Sequence, residues 1–197
     1  SSPPDCDTVP PPHRPTANPM DAGFSSLTFL KRHLLAEQIR PELDFDVQVQ
    51  ALGLGVAGAI GTYCDREFAR EVGATWQTFG GDRTTFILPR YPIEEITGID
   101  LKTRHADPWE AQDADAVICQ VINASGVVML DAPIGWRGST VRFTYTGGFW
   151  WDTTEDDSGT QPTGSTALPD DLRTAWILQC QEIWSRRDVL GVGLTER

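Results

Sequence analysis

The sequence predicts an α+β protein: a small helical bundle with a β-rich insertion, preceded by a long N-terminal arm and followed by a C-terminal tail. Apolar residues recur at helical spacing near both ends of the chain, within 26–68 and 169–187. Between these segments, short runs of alternating apolar and polar residues are separated by Gly, Pro and Asp. The chain has 197 residues, of which 40% are hydrophobic, so it can bury one domain, which we place at 24–187.

An extended arm is predicted for residues 1–23, ahead of this domain. The segment contains seven prolines and no apolar periodicity, which is typical of polyproline-like chain rather than of a core. Two interpretations remain open. The arm is either a disordered tail or a segment that lies on a neighbouring subunit and becomes ordered only in an assembly.

Two helices are predicted near the start of the domain, at 26–37 and 44–68. Ser25 or Ser26 can cap the first helix, whose apolar face consists of Leu27, Leu30, Leu34 and Leu35. The second helix has an apolar stripe at spacings of three and four, formed by Val49, Leu52, Val56, Ile60, Tyr63 and Cys64.

Four glycines lie inside the second helix: Gly53, Gly55, Gly58 and Gly61. Each costs about 1 kcal/mol relative to alanine in a helix. The simplest compensation is another helix that packs closely on the glycine face. A phosphate-binding loop is disfavoured, because no G-K-[ST] sequence follows and no G-x-G-x-x-G motif succeeds a strand.

The β-rich insertion is predicted at 75–146, with a turn at Asn123–Gly126. Alternating residues and flanking turn signals define the candidate strands Thr75–Phe79, Thr84–Leu88, Ile93–Leu101, Asp115–Ile122, Gly126–Leu130 and Thr140–Tyr145. Four tryptophans lie in or beside turns of this region. In a monomer such side chains fold back onto the sheet, and in an oligomer they are common anchors, so we predict a subunit interface at Trp109, Trp136, Trp150 and Trp151.

A long polar segment follows at 152–167 and is predicted to be a mobile loop, since it has no hydrophobic pattern. It contains an acidic cluster of Asp152, Glu155, Asp156 and Asp157. Their spacing does not match an EF-hand calcium loop. A solvated loop is therefore favoured, and no metal site is predicted.

The last helix is predicted at 169–187. Two aspartates in its first turn, Asp170 and Asp171, complement the positive N-terminal end of the helix dipole, and Arg186 and Arg187 oppose the negative end. The tail 188–197 carries Val189, Leu190, Val192 and Leu194 without a core pattern. Such a tail either docks on a partner or frays as a terminus.

Charge and composition exclude several functions. The net charge of −12 argues against wrapping nucleic acid, which needs clustered Lys and Arg. The sequence has no apolar run of about 18 residues, the length that would predict a membrane span. The four cysteines are far apart and form no C-x-x-C pair, and none of the three histidines lies near a nucleophile motif. We therefore predict neither an enzyme nor a cofactor.

A set of short motifs, in order along the chain, resembles one family. Tyr63-Cys64-Asp65-Arg66-Glu67-Phe68 ends a helix, and Leu88-Pro89-Arg90-Tyr91-Pro92-Ile93-Glu94-Glu95-Ile96 leads into a strand. A Tyr145-Thr146-Gly147-Gly148-Phe149 turn, a Leu168-Pro169-Asp170-Asp171-Leu172 helix start and the Arg186-Arg187 end follow. Together they resemble the head–tail connector, or adaptor, proteins of long-tailed bacteriophages. The resemblance covers roughly residues 27–187.

The resemblance implies a structural protein of the virion neck, made in the host cytoplasm. In that family, usually twelve copies form a ring around the DNA channel, and the C-terminal segment docks on the portal. It therefore implies portal binding by Arg186, Arg187, Val189, Leu190, Val192 and Leu194, contact with a downstream stopper or tail protein, and non-specific passage of double-stranded DNA during packaging and ejection. The proline-rich arm and the long acidic loop depart from the family.

Two other classes remain as alternatives. A stopper or tail-terminator protein of the same neck would lack the helical half predicted at 26–68 and 169–187. A small metal-binding enzyme would show activity or metal-dependent stability.

Overall fold

The computed structural model describes residues 24, 26–35, 45–104, 106–136, 138–152 and 158–186. The fold is α+β, as predicted. Along the chain the elements are α1 (Leu27–Leu34), α2 (Asp46–Tyr63), β1 (Glu71–Phe79), β2 (Thr85–Ile87), β3 (Ile93–Lys102), β4 (Glu110–Gln112), α3 (Ala114–Val117), β5 (Ile118–Ile122), β6 (Val127–Leu130), β7 (Thr140–Gly147), β8 (Phe149–Trp150), β9 (Thr166–Ala167) and α4 (Asp170–Arg186).

The helices α1, α2 and α4 pack around one apolar core, here called the helical cluster. Its buried residues are Phe24, Leu30, Leu35, Val49, Val56, Ala57, Phe68, Trp151, Leu168, Trp176 and Cys180. Ser26 caps α1, since its Oγ accepts a hydrogen bond of 3.0 Å from the Phe29 amide. The predicted end of this helix, residue 37, is wrong: α1 ends at Leu34, because Leu35 has an extended backbone with φ −108° and ψ 145°.

Close packing at Gly53 confirms part of the expectation for the α2 glycines. A Cβ atom at this position would lie 2.7 Å from Leu30 Cδ2 and 3.1 Å from Trp176 Cζ2. The Trp176 indole also donates a hydrogen bond of 3.0 Å to the Gly53 carbonyl. Gly53 therefore lets α1 and α4 approach α2 at the same point.

The predicted end of the second helix, residue 68, is wrong: α2 ends at Tyr63. Asp65 adopts a positive φ of 48°, which a helix does not allow. The chain beyond it is extended and forms bridges from Glu67 to Arg90 and from Ala69 to Phe149. These pairings use backbone groups that a longer helix would have consumed.

Two antiparallel sheets enclose a second core, here called the sheet cluster. One sheet has the strand order β1-β7-β3-β4, and the other has the order β2-β6-β5. The central strand β7 shows the predicted alternation, with Val141, Phe143 and Tyr145 buried. Across the core they face residues of the smaller sheet, including Phe86 and Val128.

The insertion differs from the prediction at both of its limits and in one predicted strand. Strand structure already begins at Glu71 and continues to Gly147, beyond 75–146. Residues Ala114–Val117 form a helical turn where a strand was predicted, because Asp113 accepts a hydrogen bond of 3.2 Å from the Asp115 amide and caps the turn. The predicted turn is confirmed: Asn123–Ser125 is a 3₁₀ turn that ends at Gly126 with φ 71°.

The segment 152–167 is not a loop throughout. Its last two residues form β9, which pairs in parallel with β8 through Phe149–Thr166 and Trp150–Ala167. The Asp152 carboxylate accepts a hydrogen bond of 2.7 Å from the Gly159 amide. The other acidic residues of the predicted cluster lie outside the described residues.

Candidate assembly surfaces

Three arginines join the helical cluster to the sheet cluster. Arg66 follows the end of α2, and its guanidinium carbon lies 3.5 Å from the Tyr91 ring centroid and 4.9 Å from that of Phe149. It also donates a hydrogen bond to the Tyr91 carbonyl. Burial lowers the pKa of Arg66 from its ordinary value, but the aromatic stacking favours the cation. Arg66 therefore has a structural role at this junction.

Arg90 is the most buried of the three, with 3% of its surface exposed. Its guanidinium donates to the Ala69 carbonyl and to Glu67, and it lies 2.7 Å from the Glu71 carboxylate. Its backbone amide donates to the Tyr145 hydroxyl over 3.3 Å. These contacts hold the segment that follows α2 against the C-terminal end of β7.

Arg70 completes the junction. Its Nε and Nη2 atoms each lie 2.8 Å from an oxygen of Glu94, which gives a two-point ion pair. The hydrogen bonds to Glu94 raise the pKa of Arg70. Glu94 is half-buried on β3, at a point where the register of β3 against β7 shifts between Ile93 and Glu95. Glu94 is therefore a structural partner of Arg70.

The four tryptophans predicted at a subunit interface have different environments. Trp136 is 54% exposed, and Trp109 is half-buried beneath the Arg142 guanidinium, 4.4 Å from its ring centroid. Trp150 is half-buried on β8. Trp151 is buried in the helical cluster, where its ring packs edge-on to Phe24 at 5.6 Å. That burial removes Trp151 as a surface anchor; for the other three the interface stays a prediction.

Of the residues implied in portal docking, the structure describes only Arg186. It is exposed at the last position of α4 and pairs with Glu182, one turn earlier. The remaining members lie outside the described residues: Arg187, Val189, Leu190, Val192 and Leu194. The described domain thus ends in an exposed residue, from which the chain continues into the tail.

The exposed side of α2 was not identified from the sequence. Tyr63 and Cys64 follow the spacing of the buried residues of α2 but lie beyond the end of the helical cluster, so both are exposed. The prediction that they belong to the apolar stripe that packs on the core was therefore wrong. On the opposite side Val47 is 77% exposed. No charged residue occurs between Asp46 and Asp65. The absence of charge in α2 beyond its first residue is the signal that could have revealed this surface.

Other kinds of site have little support in the described part of the chain. It contains no group of three or more His, Cys, Asp or Glu residues that could hold a metal ion. Its three cysteines are free thiols: Cys64 and Cys119 are exposed, and Cys180 is buried. No helix in the described ranges is long and apolar enough to cross a bilayer.

Comparison with known proteins yields a structural relative. No protein-family model matches the chain, and no curated protein matches it by sequence. Among solved structures, a chain from the neck of an empty GTA (gene transfer agent) particle, computed with C6 symmetry, is similar with a TM-score of 0.59. The two share 17% sequence identity over 88% of this chain and 83% of the other. The similarity shows a shared fold.

Proposed function

We propose that this protein is a structural subunit of the neck of a phage-like particle. The observation that carries the proposal is the fold shared with a neck protein over 88% of the chain. The sequence motifs support the same function independently, because they resemble those of phage head–tail connectors. In this proposal the protein is a component of the virion and acts in its assembly.

Within the neck, the proposed position is the adaptor ring between portal and tail. The helical half supports an adaptor over a stopper or tail terminator, since α1, α2 and α4 form a packed core with two buried tryptophans of its own, Trp151 and Trp176. Copies of the chain, twelve by the family resemblance, would surround the channel. The portal would bind the tail 188–197, and a downstream stopper or tail protein would bind the opposite side of the ring.

The acidic composition fits a channel that DNA passes without being held. A net charge of −12 per subunit is multiplied around a ring, and like charges repel the phosphates of duplex DNA. We expect the assembled ring to bind duplex DNA weakly even at low salt. Tight binding that weakens steeply as salt rises would show a basic inner wall and contradict this part of the proposal.

The decisive experiment mixes the full chain with the portal protein of the same particle and images the product by negative-stain electron microscopy. A ring of this chain seated on the portal is the expected result. A variant that lacks 189–197 should keep its circular dichroism spectrum and lose portal binding. A variant with the same tail residues in scrambled order controls for length and composition. Absence of any complex between the unaltered chain and the portal would overturn the proposed function.

A further inference from the structure

We propose that the outer face of α2 is the contact between copies of this chain, and that it packs against the outer side of α4 in the next copy. The outer face consists of Val47, Ala51, Leu54, Gly55, Gly58 and Thr62. The proposal deepens the proposed function and rests on it, since a neck ring requires one contact that repeats from subunit to subunit.

The composition of α2 exceeds what one chain can bury. From Val47 to Tyr63 the helix carries no charge, and apart from Gln48 and Gln50 near its start and Thr62 and Tyr63 at its end its residues are apolar or small. A helix with this composition is normally buried on every side. Here only the inner face, at Val49, Gly53, Val56 and Ala57, is buried within the chain.

The glycines of α2 also differ between the inner and the outer face of the helix. At Gly53 a Cβ atom would collide with Leu30, so the glycine is explained by contacts within the chain. At Gly55 and Gly58 a Cβ atom would meet nothing within 4 Å. Two exposed glycines weaken a helix without benefit to a monomer. They permit another backbone to approach closely.

The charge of the chain favours a second copy of this protein as the partner that covers the outer face of α2. The chain has 28 acidic and 16 basic residues, so two copies repel each other over most of their surfaces. The outer face of α2 is free of that repulsion. It also lacks the Lys and Arg that a nucleic acid would require. The solved neck with a similar fold has C6 symmetry, in which copies repeat around an axis.

The outer side of α4 supplies a complementary surface. Leu178 is 59% exposed there, with exposed Ala175 one turn before it, and Ile183 at its border is 39% exposed. Glu182 and Arg186 on this side pair with each other. A ring needs two different patches that meet head to tail. Within one chain α2 and α4 already contact each other through Gly53 and Trp176, so their outer sides cannot meet in the same copy.

Cross-linking between copies tests this geometry. In a background where Cys6, Cys64 and Cys119 are replaced by serine, one chain carries Gly58→Cys and a second carries Leu178→Cys. After assembly on the portal and mild oxidation, we expect a disulfide between the two different chains. A matched control replaces Leu178→Cys by Gln120→Cys, an exposed position on β5, and should give little product.

Each outcome decides a separate point. Cross-linking no greater than in the control, in rings that are seated on the portal, overturns this contact and leaves the proposed function intact. Cross-linking of the Gly58→Cys chain to itself shows a two-fold contact and also overturns the proposal. Failure of the unaltered chain to bind the portal argues against the neck function itself.

A second measurement uses no cysteines. Leu178→Asp adds a charge to the proposed contact, and we expect it to weaken self-association at least tenfold in sedimentation velocity. Gln120→Asp adds the same charge on the sheet cluster and should leave self-association unchanged. Both variants should retain the melting curve of the monomer, because both positions are exposed. Equal association of the two variants contradicts the proposal.

Discussion

The helical cluster and the sheet cluster bury cores of similar size but differ in what they leave exposed. In the sheet cluster, the exposed apolar residues Val72, Phe79, Ile87 and Ile122 lie at or next to strand ends, and Trp136 lies in a turn. Strand centres alternate cleanly between buried and more exposed positions, as β7 shows. In the helical cluster, Val47 and Tyr63 also lie at the ends of their helix, α2. Exposed apolar or small residues nevertheless continue between them, at Ala51, Gly55, Gly58 and Ala59, and Leu178 is exposed in the middle of α4.

This difference shows which part of the molecule is complete by itself. A strand has two faces, and each sheet turns one of them to the shared core. Side chains project from a helix in every direction, and α1 and α4 cover only part of the surface of α2. The sheet cluster therefore buries the apolar faces of its strands within the chain. The helical cluster leaves apolar surface of α2 and α4 exposed, where another subunit can pack. Four predictions test this comparison.

The largest effect is expected at the centre of the helical cluster. Trp176→Ala should lower the free energy of unfolding by about 3–5 kcal/mol, because it leaves a large cavity and removes the hydrogen bond to Gly53. Urea denaturation measures the change. Trp136→Ala, at an exposed tryptophan of the sheet cluster, is the control and should cost less than about 1 kcal/mol. Equal losses would show that the helical core is not formed as described.

Alkaline pH should affect both clusters through one buried group each. Burial raises the pKa of Tyr145 to about 12, so the unfolded chain loses this proton near pH 10 and the folded chain retains it. Stability therefore falls as pH rises from 10 to 12, by about 2 kcal/mol on the scale of 1.4 kcal/mol per pKa unit. Burial also raises the pKa of Cys180 to about 12, and its contribution begins near pH 9.

Variants assign these two contributions. Tyr145→Phe should flatten the dependence of unfolding free energy on pH between 10 and 12, and Cys180→Ala should flatten it from pH 9 upward. Chemical denaturation at a series of pH values provides the measurement. A slope that neither variant changes would mean that both groups ionise freely in the folded protein.

The junction between the clusters should show an intermediate effect. Arg90→Ala removes the donor to the Ala69 carbonyl and leaves Glu67 and Glu71 without their partner, at a cost of about 1–3 kcal/mol. Arg142→Ala breaks the more exposed pair with Asp100 and should cost less than about 1 kcal/mol. Thermal unfolding of the two variants gives the comparison. A larger loss for Arg142→Ala would contradict the proposed importance of the junction.

The smallest effect distinguishes the two sides of α2. Gly58→Ala should stabilise the monomer by about 0.5–1 kcal/mol, since the new Cβ meets no atom and alanine is the better helix former. Gly53→Ala should yield no such gain, because its Cβ would lie 2.7 Å from Leu30 Cδ2. Both are measured by urea denaturation at concentrations where the chain is monomeric. A gain at Gly53 as large as that at Gly58 would show that the inner contact is loose.

Much of the architecture could be predicted from local sequence. Periodicity located α1, α2 and α4, and alternation located five of the six predicted strands without change of type. The Ser26 cap and the Asn123–Gly126 turn were also predictable, since their hydrogen bonds join residues only a few positions apart. Such features depend on neighbours along the chain, and the sequence contains those neighbours.

Tertiary structure decided the remaining features. The end of α2 depends on bridges to Arg90 and Phe149, and β9 depends on a partner strand at Phe149–Trp150, all distant in sequence. The burial of Trp151 depends on Phe24. No local pattern encodes these partners.

The α2 helix shows the physical reason most clearly. Its sequence determined that a helix forms and that it is uncharged beyond Asp46, because those properties belong to the residues themselves. A helix with apolar or small residues on most of its sides has no inner face until something packs against it. The contact of Trp176 and Leu30 with Gly53 made one side the core and left Gly55 and Gly58 exposed on the other.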